Sequence, residues 1–150
     1  MMRKVFVGIF ILFLVASSVY AQDRGTAAEA KSLLTKAVAY YKANGHVKAF
    51  AAFNDSKGNF VSKDLYIFAL DMSGKIIAHG VNAALIGKDM MGTRDADGKL
   101  FIKEMVAIGK TKGKGSVDYK WVSPKTNKVE QKSSYLEKVN RVVLGCGFYK

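Results

Sequence analysis

The sequence predicts an α+β domain, an antiparallel sheet of about five strands with a long amino-terminal helix packed on one face. Three observations carry this. Apolar residues recur at three- and four-residue steps between Thr26 and Asn44, the period of one helix face. From Leu65 onward, short β-prone runs are separated by glycine-bearing turns. The order of the pieces is two helical segments, two strands, a loop with a helix, then three strands, which is the order of an α+β domain.

The chain opens with Met1-Met2-Arg3-Lys4, an apolar run from Val5 to Val19, and Val19-Tyr20-Ala21 before the polar Gln22-Asp23-Arg24. Two positive charges, an apolar stretch and an aliphatic-x-Ala ending predict a secretory signal peptide over residues 1–21, cleaved after Ala21. A retained anchor is the other reading, but the run falls short of the roughly 20 residues a bilayer span needs. Removing 21 of 150 residues leaves 129, one domain by length, and takes Arg3 and Lys4 with it, lowering the formal charge from +12 to +10. The mature form, residues 22–150, is therefore expected in the periplasm or secreted, and not membrane-spanning. A basic exported domain attracts anionic surfaces or small anions. Nucleic acid is a poor partner for it, because export separates the two and the lysines are scattered singly.

Ala27, Ala30, Leu33, Leu34, Ala37, Val38 and Tyr41 form the apolar face of the first helix, and Asn44-Gly45 supplies a left-handed stop. A shorter helical piece, Val47 to Phe53, leads to a turn over Asn54–Asn59. Leu65 to Leu70 and Lys75 to Gly80 form a hairpin about Asp71-Met72-Ser73-Gly74, with Gly74 at a left-handed position. Val81 to Lys99 reads as loop, and Leu100 to Lys110 as a helix with Phe101, Met105 and Ile108 on one face. Three strands follow: Ser116–Val122, with Val117, Tyr119 and Trp121 on one side, then Val129–Val139 and Asn140–Tyr149.

The ordered elements Tyr66-x-Phe68-x-x-Asp71-x-x-Gly74, Ala78-His79, Gly87-Lys88 and Asp95-x-Asp97-Gly98-Lys99-x-Phe101 carry a resemblance that continues to the end of the chain. There it rests on Gly115-x-Val117-x-Tyr119-x-Trp121-x-x-Pro124, Lys132-x-x-Tyr135 and Gly145-x-Gly147-x-Tyr149. Together they resemble the single Cache domain, an extracytoplasmic relative of PAS domains. The resemblance implies a PAS-like sheet behind a long leading helix, and a sensor that binds small organic acids or related metabolites between the sheet and its covering loops. It also implies work in chemotaxis or two-component signal transduction. Because the sequence runs out at Lys150 without a second apolar span, the expectation is a binding module that acts through a membrane receptor or sensor kinase. A homodimer stays open.

Strand alternation places Tyr66 with Phe68, Ile77 with His79, and Tyr119 with Trp121. If those faces coincide, they line an aromatic cavity with polar tips, the usual make-up of a small-molecule site. Tyr66, Tyr119 and Tyr135 offer hydroxyls and His79 an imidazole. Lys132 and Arg94 are the candidate cations for a small anionic metabolite, expected to be a short carboxylate, with Arg94 able to grip it bidentately. The same aromatic residues also fit a plain core, which would make the protein a pocketless interaction module on the same fold. One cysteine and two histidines give no zinc cluster. Asp95-Ala96-Asp97-Gly98 opens like a calcium loop but has Val106 where the bidentate glutamate belongs. No cofactor is expected, and no nucleophile elbow or zincin motif points to an enzyme.

Overall fold

The computed structural model describes residues 23–150; the segment read as a signal peptide lies outside the described residues. Helix α1 (Ala27–Asn54) starts with a capping box in which Thr26 Oγ1 accepts from the Glu29 amide and the Glu29 carboxylate accepts from the Thr26 amide. Two donors that a helix start leaves unpaired are thereby satisfied. The break expected at Gly45 is present, at φ 78° and ψ 169°. That glycine-only extended conformation kinks the helix instead of ending it. The expected second segment follows at once.

The sheet is antiparallel and six-stranded: β1 (Val61–Ser62), β2 (Leu65–Asp71), β3 (Ile76–His79), β4 (Lys114–Val122), β5 (Val129–Val139) and β6 (Val142–Tyr149). All five expected strands are present, and the added β1 is two residues long. Spatial order is β1-β2-β6-β5-β4, with β3 sharing the outer edge of β2. The last strand thus lies in the middle. β2 and β6 are covered on both faces, which is why each reads as a nearly unbroken apolar run.

In the turn between β2 and β3, Gly74 has φ 87° and Asp71 Oδ1 accepts from the Ser73 and Lys75 amides. A β-bulge follows: Ala69 faces Ala78 but Leu70 faces Ile76. Ile77 is the extra residue.

The sheet divides the core. On one side, Leu34, Ala37, Val38, Tyr41 and Phe53 of α1 pack against Ile67, Ala69, Leu144 and Cys146. The Cys146 thiol is buried there, and burial pushes its pKa up to about 12, which keeps it protonated and inert. On the other side lie the Val81–Leu100 connection and helix α2 (Phe101–Thr111). Gly109 lets α2 press onto β6, since a Cβ there would stand 2.4 Å from Val143 Cγ2.

Candidate ligand-binding site

The face opposite α1 carries a chamber. Tyr66 and Phe68 reach it from β2, His79 from β3, and Tyr119 and Trp121 from β4; Leu85, Met90, Phe101 and Met105 close it from the connection and α2. It is narrow, with about 20 Å³ open to the centre of a water molecule, room for one or two waters. Phe101 stacks on Tyr119 at 4.7 Å between ring centroids, and Trp121 tilts against both. Tyr66, His79, Leu85 and Trp121 also line an outer vestibule of about 380 Å³, rimmed by Val122, Pro124 and Asn127. Met90 and Met105, unbranched and pliable, are the chamber walls best able to yield to a ligand.

Lys132 stands behind the chamber wall. It leaves β5 between Tyr119 of β4 and Tyr149 of β6, crosses β6, and donates from Nζ to the Tyr66 hydroxyl at 2.8 Å. The crossing needs Gly147, because a Cβ there would lie 2.3 Å from Lys132 Cε. The side chain is wholly buried. Nζ lies 4.1 Å from the Tyr66 ring centroid and 5.1 Å from that of Tyr149, within cation–π range. Among the described residues no carboxylate pairs with it; every ion pair found involves another lysine or Arg24. Burial lowers its pKa to about 7, with Cys146 and Asp64 opposing the shift. Having accepted one bond, the Tyr66 phenol keeps its own proton to donate, and burial holds that proton on, well above the ordinary tyrosine value.

His79 is a donor of fixed tautomer. Its Nδ1 accepts from the Asn82 amide at 3.0 Å and the Val81 amide at 3.4 Å. A backbone amide can only donate, so the ring proton of this residue sits on Nε2. Burial first, and the Lys132 charge second, lower its pKa to about 3. The ring is therefore neutral at neutral pH. Its own amide is anchored to Asn54 Oδ1 at the end of α1.

The structure thus gathers Tyr66, Phe68, His79, Tyr119 and Trp121 around one chamber, with Lys132 behind Tyr66. Two expected site residues lie elsewhere. Arg94 is exposed and donates to the Gly98 carbonyl at 2.7 Å, bracing its own loop. Tyr135 packs with Phe148 on the α1 side of the sheet. An offset of three along a strand puts it on the face opposite Lys132. Ile77 likewise packs on the α1 side, because the bulge hands its expected place to Ile76. Sequence reasoning missed Leu85, Met90 and Met105 as lining residues, although α2 already showed its apolar stripe. It also missed Asp64, a buried carboxylate whose Oδ1 accepts from the Gly25 amide at 2.6 Å and whose Oδ2 has no partner among the described residues.

The family model described as Single Cache domain 2 matches residues 15–150. The chain belongs to this family. Cache domains are extracytoplasmic sensor domains, not catalytic ones, and this one shares 33% identity over 88 residues with the methyl-accepting chemotaxis protein McpP of Pseudomonas putida, covering 57% of this chain and 16% of that protein. It shares 33% over 89 residues with the sensor histidine kinase MctS of Rhizobium johnstonii, covering 58% and 19%. This Cache domain therefore spans under one fifth of the curated relatives it matches. Among solved structures, a Cache chemosensory domain studied for carboxylic acid recognition is 30% identical with a TM-score of 0.62, over 80% of this chain and 85% of that one. A periplasmic sensor domain of a chemotaxis protein is 25% identical with a TM-score of 0.62, over 87% and 91%. Among the described residues of this Cache domain, no helix is long and apolar enough to cross a membrane.

Proposed function

We propose that this Cache domain reversibly binds a short carboxylate in the chamber, without transforming it, and acts through a partner receptor or sensor kinase. The observation that carries the reading is Lys132, a buried ammonium with no acidic partner among the described residues, hydrogen-bonded to a phenol in the wall of an aromatic chamber. A carboxylate in the chamber would accept from the Tyr66 hydroxyl and from His79 Nε2–H, with the lysine charge directly behind. The apolar walls would take its short tail. The relative described by its carboxylic acid recognition supports this class of ligand. We read the domain as exported, its first 21 residues being a signal peptide, with residues 22–150 as the working unit in the periplasm or outside the cell.

Calorimetry on the purified protein against acetate, propionate and other short carboxylates tests the reading. A unit charge one hydroxyl away from the anion, at about 5 Å, contributes up to about 3 kcal/mol at an effective dielectric of about 20, so Lys132→Met should weaken binding about ten- to hundredfold. The variant keeps the apolar stem and deletes the charge. Equal affinity in both proteins would remove Lys132 from the site. The tight stacking of Phe101 on Tyr119 supports a second reading, a filled chamber in a pure interaction module. A screen in which no carboxylate stabilises the protein would select it.

A further inference from the structure

The ligand-free site has an unbalanced charge. Lys132 is fully buried, and the phenols, thiol and imidazole around it on the neighbouring strands are neutral at neutral pH. From β2 come Tyr66 and Phe68, from β4 Tyr119, from β6 Tyr149 with Cys146 in the same strand, and from β3 His79. Burial holds the three phenols and the thiol protonated. His79 is held without its second proton. Asp64, before β2, opposes the lowering of the Lys132 pKa but makes no ion pair with it. Arg24 and Glu130 lie at the same end of the sheet and satisfy one another. A buried ammonium in these surroundings lacks the counter-charge that would hold its proton on.

We propose that the site takes up a proton together with its carboxylate, through Lys132, so that the species it measures is thermodynamically the undissociated acid. This rests on the reading of Lys132 as the anchor of the anion. The carboxylate supplies the missing counter-charge, either directly at Nζ or across the Tyr66 hydroxyl that already accepts from it. The amine that exchanges protons near neutrality in the empty site then stays charged in the occupied one. A carboxylate plus one proton is the acid itself. Above about pH 7 the apparent affinity for the anion should fall tenfold per pH unit, while affinity expressed per undissociated acid stays level. A domain built this way responds to an acidified medium and to added carboxylate with the same signal.

Propionate is a suitable probe, being fully ionised between pH 6 and pH 9. Calorimetric titration of the purified protein should show a dissociation constant about a hundredfold weaker at pH 9 than at pH 6. At pH 8, repeating the titration in two buffers of small and large ionisation enthalpy should reveal uptake of close to one proton per propionate bound. Lys132→Arg keeps its charge throughout and should lose both the pH slope and the proton uptake. Should that variant not fold, the two-buffer measurement on the unaltered protein decides alone. Propionate binding that is independent of pH, with no proton taken up, overturns this inference and leaves the carboxylate reading standing. If none of the carboxylates tried binds between pH 6 and pH 9, both fall together.

Discussion

At the scale of single residues, the unusual cost in this protein is Lys132. Its folded pKa of about 7 lies below the roughly 10.4 of an unfolded lysine. Between those values the unfolded chain binds more protons than the folded one, so stability rises with pH there and is lost as pH falls back through 7. The buried Cys146 thiol acts in the opposite sense above about 8.5, where an unfolded cysteine ionises. His79, held down to about 3, costs stability only below about 6.5. The ligand-free protein should therefore melt at higher temperature at pH 8.5 than at pH 7, with Lys132→Met flattening that rise. A flat profile in the unaltered protein would mean that water reaches the amine. Affinity for carboxylate should run the other way over the same range. The sequence allowed Lys132 to be nominated, but a lone strand lysine carries no mark of burial; only the glycine facing it across β6 does. Tyr135 could have been rejected from its odd offset alone. Arg94 could not, since its contact with Gly98 is a matter of loop shape.

At the scale of elements, β6 holds the site together by what it lacks. Gly145 leaves room for the Phe68 ring, where a Cβ would lie 2.2 Å from Phe68 Cζ, and Gly147 leaves room for the Lys132 stem and Ser134 Oγ, each 2.3 Å from its would-be Cβ. Gly147→Ala should force the lysine off Tyr66 at an overpacking cost of about 1–3 kcal/mol, lowering the Tm and weakening propionate binding together. An alanine variant with unchanged Tm and affinity would show that the lysine does not need this path. The Gly145-x-Gly147 pair stood in the sequence as part of a family resemblance. Its mechanical role was not visible, because Phe68 arrives from β2, which neighbours β6 only in space, and Lys132 arrives from β5 by crossing over β6 to Tyr66. The bulge at Ala69–Leu70 had no sequence signal either, and it exchanged Ile77 for Ile76 in the chamber wall.

At the scale of the whole molecule, one sheet separates a helix-packed core from a ligand face. The start of the described chain is tied to the end of the sheet where β2 begins. Gly25 packs so closely on Leu65 that a Cβ would lie 2.1 Å from Leu65 Cγ, while its amide donates to Asp64 and Arg24 pairs with Glu130. If residues 1–21 are removed on export, the mature amino terminus is Gln22, three residues before that anchor. Mass spectrometry of the native protein should find Gln22, or its cyclised form, as the first residue. Intact Met1 on membrane-bound material would show a retained anchor.

The amino-acid sequence by itself determined the helices, the five longer strands and the turn at Gly74, because period, glycine placement and capping residues act over a few neighbours. The aromatic set of the chamber was legible for the same reason: alternation assigns faces within one strand. The tertiary structure alone decided that β6 lies at the centre of the sheet, that Lys132 and Tyr66 meet two strands apart, and that Arg94 stays outside. Those outcomes depend on which faces pack together across the molecule, and burial, which sets the charge state of Lys132, exists only once they have done so.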